Sequence, residues 1–524
     1  MEQSYSRKWG TIYQKLRYKM SLLCLQILLM LFFNHHETSA LANSFGKYFV
    51  VAVPRLRQQR STDIPSIHFY LSTVFSAKDV EVFITTPHYG DSTLKHFLVI
   101  PKDGFREYSL DRKYFSNQEI GKKWTYLLAG KEYFGLYVML IENEKSVATF
   151  QALPIEEWGT KYYAFTLRFN PSIQIISSEN DNFVSVSLKV ANPERFSLIY
   201  KGHDYSNAEK DFEFNLKRWE AFTISNCNDA QAYMTGSTIT GLKTIGVISG
   251  NCPGRTYSRF CNLPSSHTLG ESATDIVAEM LRPETGSGTE FIFVGIPARS
   301  SSPSAMVVST AKNTLVDIVT SADGRTVSWI FLKPGEWKEF EADFIKGNCV
   351  IKSDQNVHVL IVQSSPCSNI DGYMVEPLGD AAISLLIPNS QFFMRYHWNT
   401  AGTSKKTYIV IVAEWPNTTD LLLDDKTLSS DVEWAQVFGS TKFRVANIEV
   451  SQNSHSLVST KFKYFGLYLY GLSEQMAYMH PVGFNGCKFN STLTKINFDK
   501  DCDYPSDKEM YGIIESGQTD APVG

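Results

Sequence analysis

Tyr133-Phe134-Gly135-Leu136-Tyr137 returns letter for letter as Tyr464-Phe465-Gly466-Leu467-Tyr468. Two copies altered in letters but not in pattern lie between them, Thr244-Ile245-Gly246-Val247-Ile248-Ser249-Gly250 and Val357-His358-Val359-Leu360-Ile361-Val362. With Phe134, Ile245, Val357 and Phe465 taken as equivalent, the copies stand 111, 112 and 108 residues apart. Runs of β-branched and aromatic residues favour strands, whose side chains alternate between two faces. Phe134, Leu136 and Val138 therefore share one face, and Gly135 and Tyr137 the other. Both faces are largely apolar, as in a strand covered on both sides. One strand recurring at this period implies a unit of about 110 residues repeated four times.

Short apolar runs broken by turn-formers surround each copy. Residues 46–52 open the first unit, and Lys102-Asp103-Gly104 is one of its turns. The expected organisation is a leader over 1–42, β repeats over 43–152 and 153–250, and a disulfide-bearing connector over 251–287. Repeats over 288–383 and 384–484 and a polar tail over 485–524 follow. Within the connector, residues 273–281 suit a short helix with Asp275 and Glu279 exposed. Helical periodicity is otherwise nearly absent, and a propeller blade of about 40 to 50 residues is too short for this period. The fold class is all-β, in tandem β-sandwich-like repeats.

The chain has 524 residues and 43% apolar content, enough for several packed cores. Net charge is −4 with acids and bases interspersed, so no basic block marks a nucleic-acid partner. Residues 20–33 are apolar apart from Ser21 and Gln26, follow a basic stretch, and precede Ala40-Leu41-Ala42. That is the layout of a secretory signal peptide, with an uncleaved, membrane-tethering anchor as the alternative. Fourteen residues as a helix reach about 21 Å, short of the roughly 30 Å hydrocarbon core.

An oxidising route lets neighbouring cysteines pair: Cys252 with Cys261, Cys349 with Cys367, Cys487 with Cys502. Cys227 is then left unpaired or bridges to another chain. Asn417 and Asn490 head N-glycosylation sequons.

Catalytic patterns fail one by one. Thr285-Gly286-Ser287-Gly288 lacks the order of a nucleophile elbow, and zinc spacings are missing. Asp499, Asp501 and Asp503 start a calcium-loop spacing, but Tyr504 stands where Gly is needed and Met510 where Glu is needed. Glu156-Glu157 are chain neighbours, which rarely face one glycosidic bond together. The reading is no enzyme, no cofactor and no metal.

Several segments in order resemble the N-terminal domain of the IgGFc-binding protein family. They are 46–54 (GKYFVVAVP), Leu153-Pro154 with Gly159-Thr160-Lys161-Tyr162-Tyr163, and Thr235 to Ile239 with 245–252. Cys261, 279–283 (EMLRP), and 471–484 with Tyr478 and Pro481-Val482-Gly483-Phe484 complete the series. The resemblance implies a secreted, non-enzymatic binding domain for an extracellular glycoprotein: immunoglobulin Fc, mucin or matrix protein. The cysteine-dense modules and Gly-Asp-Pro-His site of larger members do not occur in this sequence. Trp158, Trp398 and Trp415 are candidate ligand anchors, because Trp is enriched at interface hot spots. The competing readings are a structural spacer and a secreted carbohydrate-active enzyme.

Overall fold

A computed structural model of the chain describes residues 44–485 apart from short stretches, the longest being 55–64, 111–120, 191–198, 205–210, 255–274 and 366–378. The leader, both sequons, Cys261, Cys367, Cys487, Cys502 and the Asp499–Asp503 cluster lie outside the described residues. The described residues are almost entirely strand, with only single 3-10 turns.

Each repeat is organised on one long strand: Thr125–Asn143, Thr238–Gly254, Asn348–Gln363, and in the fourth Ser454–Ser459 continued by Phe465–Ser473. The long strand has different partners along its two halves, and in the first repeat all seven strands form one sheet. In the first repeat its early half, 125–130, lies between the opening strand Phe45–Ala52 and the hairpin strand Val80–Thr85. Its later half, 135–143, lies between Ser66–Ser72 and the closing strand Ser146–Gln151. The two halves enclose one buried core, and a register shift lies between Gly46 and Tyr48 of the opening strand. The other repeats follow the same plan, opening with Gly159–Tyr163, Gly288–Phe293 and Arg395–Asn399. They close with Asp275–Met280, Ala382–Leu385 and Met476–Pro481.

Register confirms the fourfold repeat. The opening segment of each unit pairs Gly46 with Phe134, Gly159 with Ile245, Gly288 with Val357, and Phe393 with Phe465. These are the four residues aligned from sequence. Phe134, Leu136 and Val138 fill the first sandwich beside Phe49 and Phe69. Tyr137 and Met139, on the other face, are buried among Tyr396, Trp398 and Ile409 of the fourth repeat.

That second face explains why the stretch is apolar on both sides. The outward residues Ile176 and Ile248 of the second repeat join the cluster holding the first repeat's core. Met306, Val308 and Leu360 of the third join the second repeat's core. The closing strands pack as a closed cycle, first on second, second on third, third on fourth, and fourth on first. Ser44 seals the cycle: its N–H and hydroxyl donate to the Phe484 carbonyl at 3.0 and 3.1 Å, and the Phe484 N–H donates back to its hydroxyl at 3.0 Å. The repeats are tandem in sequence but interlocked in space.

Two expectations are corrected. Residues 275–280 are not an exposed helix but the fully buried closing strand of the second repeat, paired with Ile248 to Gly254. Local periodicity misled because cover on both faces makes strand and helix patterns alike. Cys227 is not unpaired, and Cys252 does not reach for Cys261: Cys227 and Cys252 are bonded, with Cα atoms 5.7 Å apart. Strand Pro171–Ser177 separates Ala221–Ser225 from Thr238–Gly254, and the two flanking strands close on each other where it ends at Pro171. Nor is Cys349 bonded to Cys367 as expected: it is a free, fully buried thiol, pushed up to about 12 by burial.

Candidate binding cleft

The three tryptophans part company. Trp158 is buried, donates its indole N–H to the Leu153 carbonyl at 3.2 Å, and lies over Gly246 so closely that a Cβ there would meet its ring at 2.6 Å. It is a packing residue. Trp398 is wholly buried and stacked on the His455 ring at 5.5 Å. Trp415 is exposed on 51% of its surface, with the Arg444 guanidinium 5.8 Å over its ring.

Trp398 nevertheless borders a cleft of about 580 Å³ where the first and fourth repeats meet. One wall is the turn Asp103-Gly104-Phe105 of the first repeat. The facing wall is strand Arg395–Asn399, the hairpin tip Asp424-Asp425, and the loop from Ser451 to Ser456. Local backbone chemistry sets the carboxylates. Asp103, Asp424 and Asp425 all have positive φ, at 46°, 51° and 62°, a region that Asp tolerates better than most residues. Asp424 and Asp425 are the two central residues of a tight hairpin between Leu421–Leu423 and Lys426–Thr427, where both positions require positive φ.

Hydrogen bonds then fix most of the lining. Asp103 accepts from the Ser76 N–H at 3.1 Å and lies 3.9 Å from the Arg395 guanidinium. Asp424 accepts from the Ser456 N–H at 2.8 Å and meets His455 Nδ1 at 2.7 Å. Burial, reinforced by the Arg395 charge, holds His397 down at about 4 and keeps it neutral at physiological pH. Asp425 is exposed, with no hydrogen-bonding partner among the described residues. The cleft thus carries three carboxylates against one guanidinium.

Ser451, His455 and Asp424 form the outline of a hydrolytic triad, but the geometry disarms it. His455 Nε2 lies 2.9 Å from the Ser451 carbonyl oxygen, an acceptor, and 3.5 Å from the Ser451 hydroxyl. The carbonyl is the nearer partner of Nε2, and at 3.5 Å the Ser451 hydroxyl is at the outer limit of a hydrogen bond, so the imidazole is not aimed at a nucleophile. A second outline joins Ser66, His68 and Glu107 at 2.9 and 2.8 Å. Ser66 sits in a strand paired on both sides, so the nearby N–H groups are committed to the ladder rather than to an oxyanion. Among the described residues no group of three His, Cys, Asp or Glu side chains is placed to hold a metal ion. Glu156 and Glu157 both lie in the 3-10 turn Ile155–Glu157 at a repeat joint, with Glu157 buried.

The family model described as IgGFc binding protein matches residues 148–471, well over half of the chain. The chain belongs to the IgGFc-binding protein family. No curated protein sequence matches it. A solved structure titled "Crystal structure of tetra-tandem repeat in extending region of large adhesion protein" is 11% identical, covering 81% of this chain and 95% of that one, with a TM-score of 0.10. That score is too low to compare the folds. No described helix of this IgGFc-binding family member is long and apolar enough to cross a membrane.

Sequence reasoning foresaw the turn at Asp103. It missed the cleft, whose walls come from segments some 300 residues apart. The one local signal was a pair of acids, Asp424-Asp425, between a strand and a lysine.

Proposed function

We propose that the protein is a secreted recognition protein that binds an extracellular glycoprotein, with immunoglobulin Fc, mucin and matrix proteins as the candidate ligands. Family membership over residues 148–471 carries this reading. The cleft between the first and fourth repeats is the surface we assign to it, because it is concave, polar and preformed. Preformed sites lose little freedom on binding, and the interlocked repeats hold both walls in place.

The test is binding of the oxidised 43–524 protein to immobilised Fc, beside Fc stripped of its glycan and a heat-unfolded control. Saturable binding by the folded protein alone supports Fc as ligand. Binding lost with the glycan makes the recognition lectin-like. No binding to either form removes Fc and leaves mucin and matrix proteins to be assayed the same way.

A further inference from the structure

We infer that the cleft between the first and fourth repeats is a carbohydrate site that takes one or two neutral pyranose units. This deepens the proposed function and rests on it. A volume of about 580 Å³ falls within the range of small-ligand sites. The lining mixes groups that only accept hydrogen bonds with groups that only donate and groups that do both. Asp425 and Asp103 supply carboxylate acceptors, Arg395 supplies a planar donor, and Asn453 and Ser454 supply both. Vicinal sugar hydroxyls, each a donor and an acceptor, match that mixture better than a ligand of one polarity.

Two further observations point to a bound polar group. Trp398 lines the cleft and is wholly buried, yet its indole N–H has no acceptor among the described residues. Phe105, half-buried on the opposite wall, offers an apolar surface for the C–H face of a ring. The excess of carboxylates over the single guanidinium disfavours acidic sugars and limits the class to neutral ones.

Saturation-transfer NMR on the 43–524 protein tests this with methyl glycosides of galactose, glucose, mannose and N-acetylglucosamine. N-acetylneuraminic acid and the cation Nα-acetyl-lysine methylamide run beside them. The expected result is saturable transfer to at least one neutral glycoside, weakened tenfold or more in Asp425→Ala and in Asn453→Ala. Both side chains are on the surface, and an unchanged thermal midpoint confirms that the variants fold. The inference is overturned by no transfer to any neutral glycoside, by binding that both folded variants retain, or by preference for the acidic sugar or the cation. Fc binding measured on the same variants separates the two claims. Fc binding that persists in both variants while the sugars fail leaves the proposed function standing without the carbohydrate site.

Discussion

Gly135 in the quoted stretch is needed because an aromatic ring occupies the space its side chain would fill. A Cβ on Gly135 would meet the Phe45 ring at 3.0 Å, on Gly246 the Trp158 ring at 2.6 Å, and on Gly466 the Phe392 ring at 2.7 Å. In each case the ring comes from the residue just before the opening pair of the same repeat. The third repeat exchanges the two sizes, with His358 on the long strand and Ser287 before the opening pair. His358 is buried there, and burial with the nearby Arg282 charge pushes it down to about 3. Volume is conserved across the contact while identity is not. Gly246→Ala should therefore cost roughly 1–3 kcal/mol, and Trp158→Ala roughly 3–5 kcal/mol. Their double mutant should cost less than the two together, because the alanine methyl then enters vacated space. Urea titration of all four proteins measures that coupling, and strict additivity would refute the size-exchange account.

At the scale of elements, the joints and closing strands set stability. Gly46, Gly159 and Gly288 each approach the proline that starts the next repeat. A Cβ added at these glycines would stand 2.2, 2.5 and 2.5 Å from Pro154, Pro283 and Pro388 respectively. The Cys227–Cys252 bond closes a loop of 25 residues. Cys227→Ser with Cys252→Ser should lower stability by about 3.5 kcal/mol on the chain-entropy account, read by denaturant midpoint. The closing strand Asp275–Met280 places carboxylates where neighbouring repeats present strand N–H groups. Asp275 accepts from Val147 at 2.6 Å and Ala477 at 2.9 Å, and Glu279 accepts from Leu385 at 2.8 Å. Burial raises Glu279 from 4.5 to about 8 and Asp275 well above its usual range, the latter helped by Asp380. The unfolded chain releases these protons earlier than the folded one, so stability falls as pH rises from about 4.5 to 8. His480, held at about 4 by burial, has the opposite effect, and stability falls as pH drops from 6.5 toward 4. His358 and His397 are held low by burial as well, so three imidazoles outweigh the two carboxylates below about pH 6.5, and thermal unfolding should be latest near about pH 6. Glu279→Gln, which keeps an acceptor for Leu385, should raise the midpoint at pH 8 and leave it nearly unchanged at pH 5. An unaltered alkaline limb in that variant would show that another group sets it.

For the whole molecule, the decisive property is that the core of each repeat is shared with a neighbour. Tyr137 of the first lies in the fourth repeat's cluster, and Leu360 of the third lies in the second's. Residues 121–123 also add to the second repeat's sheet beside 221–223, and Asn348-Cys349 pair in parallel with Val437-Phe438 to join the third and fourth. Four independent beads would melt in four steps. Shared cores predict one calorimetric transition whose van't Hoff and calorimetric enthalpies agree. Ser44→Ala, which removes two hydrogen bonds at the seam, should lower that single midpoint without splitting it, at a cost of roughly 1–3 kcal/mol. Separate transitions for the first and fourth repeats would contradict the interlocked arrangement.

The sequence by itself determined the all-β class, the fourfold repeat and its register. These follow from local strand chemistry and from a period that survives substitution, as Phe134, Ile245, Val357 and Phe465 show. It could not show that the doubly apolar strand is covered by a neighbouring repeat, or that Asp275 and Glu279 are buried on a strand. Nor could it pair Cys227 with Cys252, because cysteine proximity depends on where an intervening strand ends. The cleft was least legible of all. Asp103 and Asp425 meet only after the cycle closes, and that closure is decided by packing between segments with no local signal of their partnership.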